Sequence, residues 1–139
     1  MNTSDRGTPR PPRLLIVDDA LIMRMRIAGI AREAGWEVVG EAGDGAEGLA
    51  RYQELRPDLV TLDIVMPILD GVDALRGIMA ADDAARVVMV SAVDQRAKLT
   101  ECIDLGAIDF IVKPFDRERL AALFAKYASV VAQMAAEGG

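Results

Sequence analysis

Short apolar runs recur along the chain, and a polar or charged residue stands directly after each of the four clearest ones. The runs are Leu14–Val17, Leu59–Leu62, Val87–Val90 and Phe110–Val112, followed by Asp18 and Asp19, Asp63, Ser91 and Lys113. Brief and nearly continuous apolar runs are typical of strands buried on both faces of a parallel sheet. Ligands bind beyond the carboxyl ends of such strands, so these polar residues are expected to meet at one edge.

Amphipathic segments between the runs predict an alternation of strands and helices. The predicted order is strand 13–17, helix 21–34, strand 36–41, helix 46–55, strand 58–62, helix 72–80, strand 86–90, helix 94–105, strand 108–112 and helix 116–136. Gly35, Pro57 and Gly106 end three of the helices, and Asp116 caps the last one. Five strand–helix units predict an α/β fold, with a doubly wound five-stranded parallel sheet flanked by five helices and right-handed crossovers. The second strand has polar ends and is expected at the sheet edge.

Apolar stripes assign one packing face to the first and the last helix. On the first helix Ile22, Met25, Ile27, Ile30 and Ala34 share one side, and on the last the stripe runs through Leu120, Leu123, Phe124, Tyr127, Val131 and Met134. The last stripe is longer than a five-stranded sheet can cover, so we expect an alanine-rich, frayed end. A dimer contact and a linker to a further domain remain open. The predicted division is a disordered lead-in at 1–12, one domain at 13–128 and a helical extension and tail at 129–139.

Composition narrows the classes of function. The net charge of −6 argues against direct binding to nucleic acid, and no apolar run reaches the ~20 residues of a membrane span. Cys102 is the only cysteine and is expected to be a packed small residue in a reducing, cytoplasmic protein. The chain has no histidine, which excludes Ser–His and Cys–His catalysis. If the function involves a phosphoryl group carried on a histidine, that histidine must belong to another protein.

Three acids at neighbouring strand ends predict a metal site. Asp18, Asp19 and Asp63 would repel one another by roughly 4 kcal/mol per close pair at an effective dielectric of 20. A bound cation relieves this repulsion, and Mg²⁺ suits carboxylates, water and phosphate oxygens best. The alternative for any single acid is a solvated loop residue or a helix cap.

The same edge contains the parts needed for phosphoryl transfer. A carboxylate such as Asp63 can attack phosphorus and form an aspartyl phosphate. Lys113 can supply a positive charge to a phosphoryl oxygen, and Ser91 can donate a hydrogen bond to it. The alternative for Lys113 is a surface lysine whose charged end reaches solvent, and the alternative for Ser91 is an ordinary turn residue.

The motifs resemble the receiver domain of two-component response regulators. They are Leu15–Asp19, Asp63–Pro67 with Asp70 and Gly71, Ser91 and Ala92, and Lys113–Phe115, in the family's order and spanning residues 13–128. The stretch Asp109–Phe115, with no output domain after it, is most similar to the single-domain chemotaxis type. The resemblance implies a flavodoxin-like sheet in the order 2-1-3-4-5.

The resemblance also implies a role for each residue. Asp63 would accept phosphate from a histidine kinase, with Mg²⁺ held by Asp18 (directly or through water), Asp19, Asp63 and the backbone carbonyl of Val65. Ser91 and Phe110 would form the switch pair that changes the face made by the fourth helix, fifth strand and last helix, through which the domain controls a protein target. The Lys113–Pro114 bond is typically cis in the family. The chain would contribute to its own phosphotransfer and autodephosphorylation without being a classical enzyme, as a monomer or weak dimer.

Two positions depart from the best-known chemotaxis pattern. Phe110 replaces a switch tyrosine, so no phenol is present to bond a target, and plain strand packing is the alternative for its ring. Val65 is apolar where many relatives are polar, which leaves the rate of dephosphorylation open.

Several other functions compete with this interpretation. Residues 43–48 match the G-x-G-x-x-G pattern of a dinucleotide site, but they follow the predicted edge strand and leave the acids unexplained. A phosphate-hydrolysing enzyme would need a second acid near Asp63, where the chain has Ile64 and Val65. It would also need a cap over the substrate, and the chain has no insertion large enough to form one. A receiver cut from a larger regulator with a DNA-binding or enzymatic output, and a docking domain that needs no phosphate, remain alternatives.

Overall fold

The computed structural model describes residues 10–138, so residues 1–9 of the predicted lead-in at 1–12 lie outside the described residues. Its elements are β1 (Arg13–Val17), α1 (Leu21–Glu33), β2 (Glu37–Ala42), α2 (Gly45–Leu55), β3 (Leu59–Asp63), α3 (Gly71–Ala81), β4 (Val87–Ala92), α4 (Arg96–Leu105), β5 (Asp109–Lys113) and α5 (Arg117–Gly138). All ten elements occur as predicted. The differences of one or two residues at their ends arise because capping turns such as that at Gln95 decide where a helix starts.

The sheet is parallel with the strand order β2-β1-β3-β4-β5, which confirms the predicted doubly wound topology and the edge position of β2. Side chains alternate between its two faces. Leu15, Val17 and Leu62 pack under α2, α3 and α4, whereas Leu14 and Ile16 pack under α1 and α5. The sheet is therefore a buried middle layer, with three helices on one side and two on the other.

The apolar face predicted for α1 is wrong in its first half. Ile22 and Met25 are 76% and 59% exposed, whereas Ile27 and Ile30 are buried and Ala34 is partly buried. Each residue turns the helix by about 100°, so Ile22 and Met25 lie on the opposite side of α1 from Ile27 and do not share its packing face. Their apolar side chains lie at the surface beside the predicted site.

The last helix follows its predicted stripe up to the residues that leave the sheet. Leu120, Phe124 and Tyr127 are buried, Val131 is partly buried, and Met134 is half exposed. The Oδ1 atom of Asp116 accepts a hydrogen bond from the backbone N–H of Arg119 at 2.8 Å, as expected for the predicted cap.

The glycine-rich segment between β2 and α2 serves packing. A side chain at Gly45 would collide with the carbonyl oxygen of Leu69, and one at Gly48 would press into Val17 on β1. Asp44 caps α2, because its Oδ1 accepts from the N–H of Glu47 at 2.8 Å. These contacts explain the glycine spacing without a nucleotide.

Candidate functional site at the carboxyl edge of the sheet

The strand register brings the predicted site residues to one edge. Val17 pairs with Leu62, so Asp18 follows β1 beside Asp63, the last residue of β3. On the other side of β3, Asp63 itself pairs with Val90, which directly precedes Ser91. Lys113 ends β5 and pairs with Ala92. Residues from four strands therefore converge as the sequence predicts.

The three acids form one compact cluster. Asp18, Asp19 and Asp63 each offer a carboxylate oxygen, and the three oxygens lie within 4.8 Å of one another. Asp18 and Asp63 are buried, whereas Asp19 is exposed. Hard oxygen ligands that converge without nitrogen or sulfur fit Mg²⁺, and the exposed side leaves room for water or a phosphoryl oxygen. The cluster fits the expected cation.

Lys113 belongs to this cluster and is not an unattached surface lysine. Its Nζ atom donates to Oδ2 of Asp18 at 3.0 Å and lies 3.5 Å from Oδ2 of Asp63. The second oxygen of Asp18, Oδ1, accepts from the backbone N–H of Ala20 at 2.9 Å. Both oxygens of Asp18 thus already accept one hydrogen bond each.

The surroundings of Asp63 disfavour its charge. Burial raises its pKa from the ordinary 3.8 to about 6, and the carboxylates of Asp18 and Asp19 add to this effect. The ammonium group of Lys113 acts in the opposite direction but is outweighed. A cation near Asp63 would favour the charged form, which is the form that can act as a nucleophile.

Ser91 and Phe110 line one cavity next to the acidic edge. The cavity has a volume of about 470 Å³ and lies between β4, α4 and β5. The Oγ atom of Ser91 donates to the carbonyl oxygen of Ala92 at 2.9 Å, and the Phe110 ring is 39% exposed. Two groups predicted to move together are therefore neighbours, with free space between them.

The loop after β3 is held against the backbone of Asp63. Gly71 donates its N–H to the carbonyl of Ile64 at 2.6 Å, and a side chain there would collide with the carbonyl oxygen of Asp63. Asp70 caps α3 by accepting from the N–H of Asp73 at 3.1 Å. Val65 lies in this loop with its side chain about half exposed, and the Lys113–Pro114 bond is cis as expected.

One residue next to the site was not predicted from the sequence. Arg24 of α1 donates from Nη1 to the backbone carbonyl of Asp18 at 2.7 Å and from Nε to Glu41 at 3.0 Å. The sequence places Arg24 on the polar side of a helix, where an arginine is ordinary. Its position five residues after Asp19 is a weak clue in the sequence.

A family model decides the identity. The model of the response regulator receiver domain matches residues 14–125. The chain belongs to the response regulator receiver family. Receiver domains are signalling domains and not classical enzymes, and they bind Mg²⁺ at an acidic pocket, as the cluster at Asp63 leads us to expect.

The receiver domain is similar to proteins of chemotaxis and of gene regulation. It is 50% identical over 108 residues to "Chemotaxis protein CheY" of Thermotoga maritima, covering 78% of this chain and 90% of that protein. It is 42% identical over 113 residues to "Transcriptional regulatory protein PdtaR" of Mycobacterium tuberculosis, covering 81% of this chain and 55% of that protein. These matches confirm the family predicted from the sequence and its likeness to the chemotaxis type.

A solved complex of a similar protein contains BeF3 and Mg²⁺. The receiver domain aligns with a chain of the "CheX-CheY-BeF3-Mg+2 complex from Borrelia burgdorferi" with a TM-score of 0.77 and 38% identity, covering 84% of this chain and 87% of that one. No helix in the described part of our chain is long and apolar enough to cross a membrane. The cytoplasmic location expected from the sequence stays a prediction.

Proposed function

We propose that this receiver domain is a phosphorylation-dependent switch in which Asp63 accepts a phosphoryl group from a histidine kinase while Mg²⁺ is bound. The observation that carries the proposal is the position of Asp63. Its Oδ2 lies 3.5 Å from Nζ of Lys113, and an oxygen of each of the two further carboxylates lies within 4.8 Å of it. The chain has no histidine of its own, which supports a second protein as the donor.

In the proposed transfer, a carboxylate oxygen of Asp63 attacks phosphorus as the bond between phosphorus and the donor imidazole nitrogen breaks. The donor imidazole, protonated on its other nitrogen, leaves with the electron pair of the broken bond and becomes neutral, and Asp63 becomes an acyl phosphate. Lys113 turns from Asp63 to a phosphoryl oxygen and keeps its contact with Asp18. When bound, Mg²⁺ neutralises charge that develops on the phosphoryl oxygens. Attack by water on phosphorus later breaks the bond to the Asp63 oxygen, releases inorganic phosphate and returns Asp63 to a carboxylate, with the chain contributing to both steps.

The metal ligands that we propose are Asp19, Asp63 and the backbone carbonyl of Val65. Asp18, whose oxygens accept hydrogen bonds from Lys113 and Ala20, is proposed to act through a water molecule. The exposed position of Asp19 lets it reach an ion at the open side of the cluster.

The switch that we propose couples Ser91 to Phe110. Phosphorylation adds about −1.5 to −2 charge and three acceptor oxygens at Asp63. The Ser91 hydroxyl then leaves the Ala92 carbonyl for the phosphoryl group, and the half-exposed Phe110 ring moves into the cavity that both residues line. The face formed by α4, β5 and α5 changes as a result, which is a shift between two populated states.

Exposed apolar side chains beside the acids support a protein as the phosphodonor. Leu21, Ile22 and Met25 on α1 and Ile68 in the loop after β3 are 57% to 83% exposed. A small phosphodonor would need no such surface, whereas a docking protein buries it. The likeness to chemotaxis proteins supports a protein target in chemotaxis, contacted through α4, β5 and α5.

A second candidate is the receiver of a regulator with a separate output domain. This candidate is favoured by the match to a transcriptional regulatory protein, because the alignment covers only 55% of that protein. The phosphoryl chemistry at Asp63 would be unchanged, and only the target of the switch would differ. A phospho-independent docking domain is less favoured, because the complete acid cluster would then have no role.

The deciding experiment measures intact-protein mass after mixing with Mg²⁺ and acetyl phosphate. We expect one added phosphoryl group on the natural chain and none on Asp63→Asn. The matched control is Asp83→Asn, an exposed acid in the loop before β4 at the opposite end of the sheet, which should be labelled normally. A phosphoryl group on Asp63→Asn would sink the assignment of the acceptor.

Two further outcomes separate the alternatives. No adduct on the natural chain, together with normal Mg²⁺ binding, indicates a docking domain or a very short-lived phosphate. Beryllium fluoride, which can take the place of a phosphoryl group, then decides, because we expect a working receiver to bind it with Mg²⁺ and Asp63→Asn not to bind it. Repeated turnover of small phosphate esters would instead indicate a hydrolase.

A further inference from the structure

Arg24 connects the acidic turn to the edge strand of the sheet. Its guanidinium is mostly buried, with a side-chain exposure of 18%, and it makes two hydrogen bonds in different directions. Nη1 donates to the backbone carbonyl of Asp18 at 2.7 Å, and Nε donates to Oε1 of Glu41 on β2 at 3.0 Å. Neither contact takes part in the phosphoryl transfer proposed above.

The turn that Arg24 holds carries two of the three acids. Asp18, Asp19 and Ala20 connect β1 to α1, and α1 begins without a side-chain cap. The backbone N–H of Asp18 donates to the carbonyl of Ala42 at 3.0 Å, next to Glu41. The turn is thus attached to the end of β2 twice, once directly and once through Arg24.

Such attachment matters because the acids repel one another in the absence of a cation. Asp19 is exposed and lies within 4.8 Å of the buried acids, so an unrestrained turn would move its carboxylate outward. The charges that act most strongly on Asp63 are those of Asp18, Lys113 and Asp19, while the charge of Arg24 is paired with Glu41. The contribution of Arg24 is therefore to geometry.

We infer that Arg24 is a positioning residue for the metal site, which through its paired contacts with the Asp18 carbonyl and Glu41 holds the acidic turn in the arrangement that Mg²⁺ requires. The inference rests on the proposed function, since it assigns a role towards the cation of that same site. Groups behind the direct ligands commonly change metal affinity by about 10–100-fold when they are removed.

The test is a calorimetric titration of the full chain with Mg²⁺. Arg24→Met keeps the aliphatic stem and should raise the dissociation constant about tenfold. Arg24→Lys keeps the charge but has one amine, which cannot reach both acceptors in the directions that the guanidinium does, so its affinity should also fall. Glu41→Gln removes the charge that pairs with Arg24, and its Mg²⁺ affinity should lie between the affinities of these variants and of the natural chain.

The matched control is Arg32→Met. Arg32 lies on the same helix, near its far end, and is exposed. The loss of one positive charge is the same as in Arg24→Met, and solvent screens it, so the dissociation constant should stay within about twofold. If Arg24→Lys binds Mg²⁺ as tightly as the natural chain does, the effect of Arg24 comes from its charge, and the positioning role is overturned.

A second readout separates positioning of the site from general support of the fold. Labelling by acetyl phosphate at varied Mg²⁺ should show the half-saturating concentration raised about tenfold in Arg24→Met, with the rate at saturating Mg²⁺ within about twofold of the natural chain. A lower unfolding midpoint in EDTA with unchanged Mg²⁺ affinity would show that Arg24 only supports the fold. Glu41→Gln and Arg24→Lys keep the test decisive if Arg24→Met does not fold.

The two proposals fail in different ways. If the natural chain neither binds Mg²⁺ nor accepts a phosphoryl group, the proposed function fails first. If the natural chain does both and the Arg24 variants do so with equal affinity, only the positioning role is overturned.

Discussion

At the scale of single residues, the carboxyl group of Asp63 combines burial with the proximity of two further acids. Its pKa of about 6 lies above the ordinary 3.8, so the folded chain binds a proton more tightly there than the unfolded chain does. The stabilising effect of that proton is complete below pH ~4 and is lost as the pH rises through about 6. At neutral pH without metal, the charged Asp63 therefore destabilises the fold.

Replacing Asp63 with asparagine is expected to stabilise the metal-free protein. The pKa shift corresponds to about 2–3 kcal/mol at pH 8, because the amide side chain carries no charge to desolvate or repel. The difference should shrink towards zero as the pH falls to 4. Urea denaturation in EDTA across this pH range measures it.

The control for this prediction is again Asp83→Asn, which should change the free energy of unfolding by less than about 0.5 kcal/mol at every pH. A destabilised Asp63→Asn at pH 8 would contradict the account of burial and repulsion. Added Mg²⁺ should stabilise the natural chain and leave Asp63→Asn nearly unchanged.

Thr61 presents a different residue-scale problem in the middle of β3. Its hydroxyl group is buried and has no hydrogen-bond partner in the described part of the chain, with Ile16 and Val88 as its strand neighbours. A buried hydroxyl without a partner costs about 1–3 kcal/mol. We expect Thr61→Val to raise the free energy of unfolding by about 1 kcal/mol, measured by urea denaturation.

Thr100→Val is the comparison for that substitution. The exposed hydroxyl of Thr100 donates to the carbonyl of Arg96 at 3.0 Å, so its removal should be neutral or slightly destabilising. An equal gain in both variants would trace the effect to valine itself and refute the role of the unpaired hydroxyl.

Residues that directly follow apolar strands could be assigned from the sequence alone. Asp18, Asp63 and Lys113 meet because the carboxyl ends of parallel strands share an edge, whatever the details of packing. Arg24 could not be assigned, because its two acceptors are set by how α1 lies against β2. The backbone carbonyl of Asp18, which it contacts, has no signature in the sequence.

At the scale of elements, α1 shows where periodicity is misleading. Its apolar residues are spread around the helix, and only the side that faces the sheet buries them, at Ile27 and Ile30. The opposite side presents Ile22 and Met25 to solvent. At about 100° per residue, Ile22 and Met25 cannot share the side of Ile27, so the common side predicted for all of them is wrong.

The start of α2 makes an element-scale prediction about glycine. Gly45→Ala would force its methyl group into the Leu69 carbonyl, so we expect the free energy of unfolding to fall by about 2 kcal/mol or more. Gly29 on the exposed side of α1 has open space around it, so Gly29→Ala should stabilise by about 0.5–1 kcal/mol. Denaturant unfolding of both variants measures the pair. Two changes of the same sign would contradict the contact at Leu69.

At the scale of the whole molecule, the end of α5 and the acidic site lie at opposite edges of the sheet. The residues beyond Ala128 form one wall of a cavity of about 620 Å³ that is also lined by Arg86 and Asp58, near the strand starts. Val130 and Val131 pack partly against the core. The predicted boundary at residue 128 therefore cuts through packed side chains.

A chain ending at Ala128 is expected to fold and to bind Mg²⁺ with unchanged affinity. Loss of the partial burial of Val130 and Val131 should lower the free energy of unfolding by about 2 kcal/mol. Calorimetric Mg²⁺ titration and urea denaturation measure the two effects separately. Weaker Mg²⁺ binding in a stably folded truncation would show that the two edges communicate.

The sequence by itself determined the order of elements, the parallel sheet and the edge at which Asp63 and its partners meet. These follow from local patterns, since the apolar spacing of a segment and the residue that ends it are readable without the rest of the chain. Only the tertiary structure decided the raised pKa of Asp63, the engagement of Ser91 with Ala92, the two contacts of Arg24 and the exposure of Ile22. Each of these depends on distances and solvent access that packing and strand register create between segments far apart in the chain.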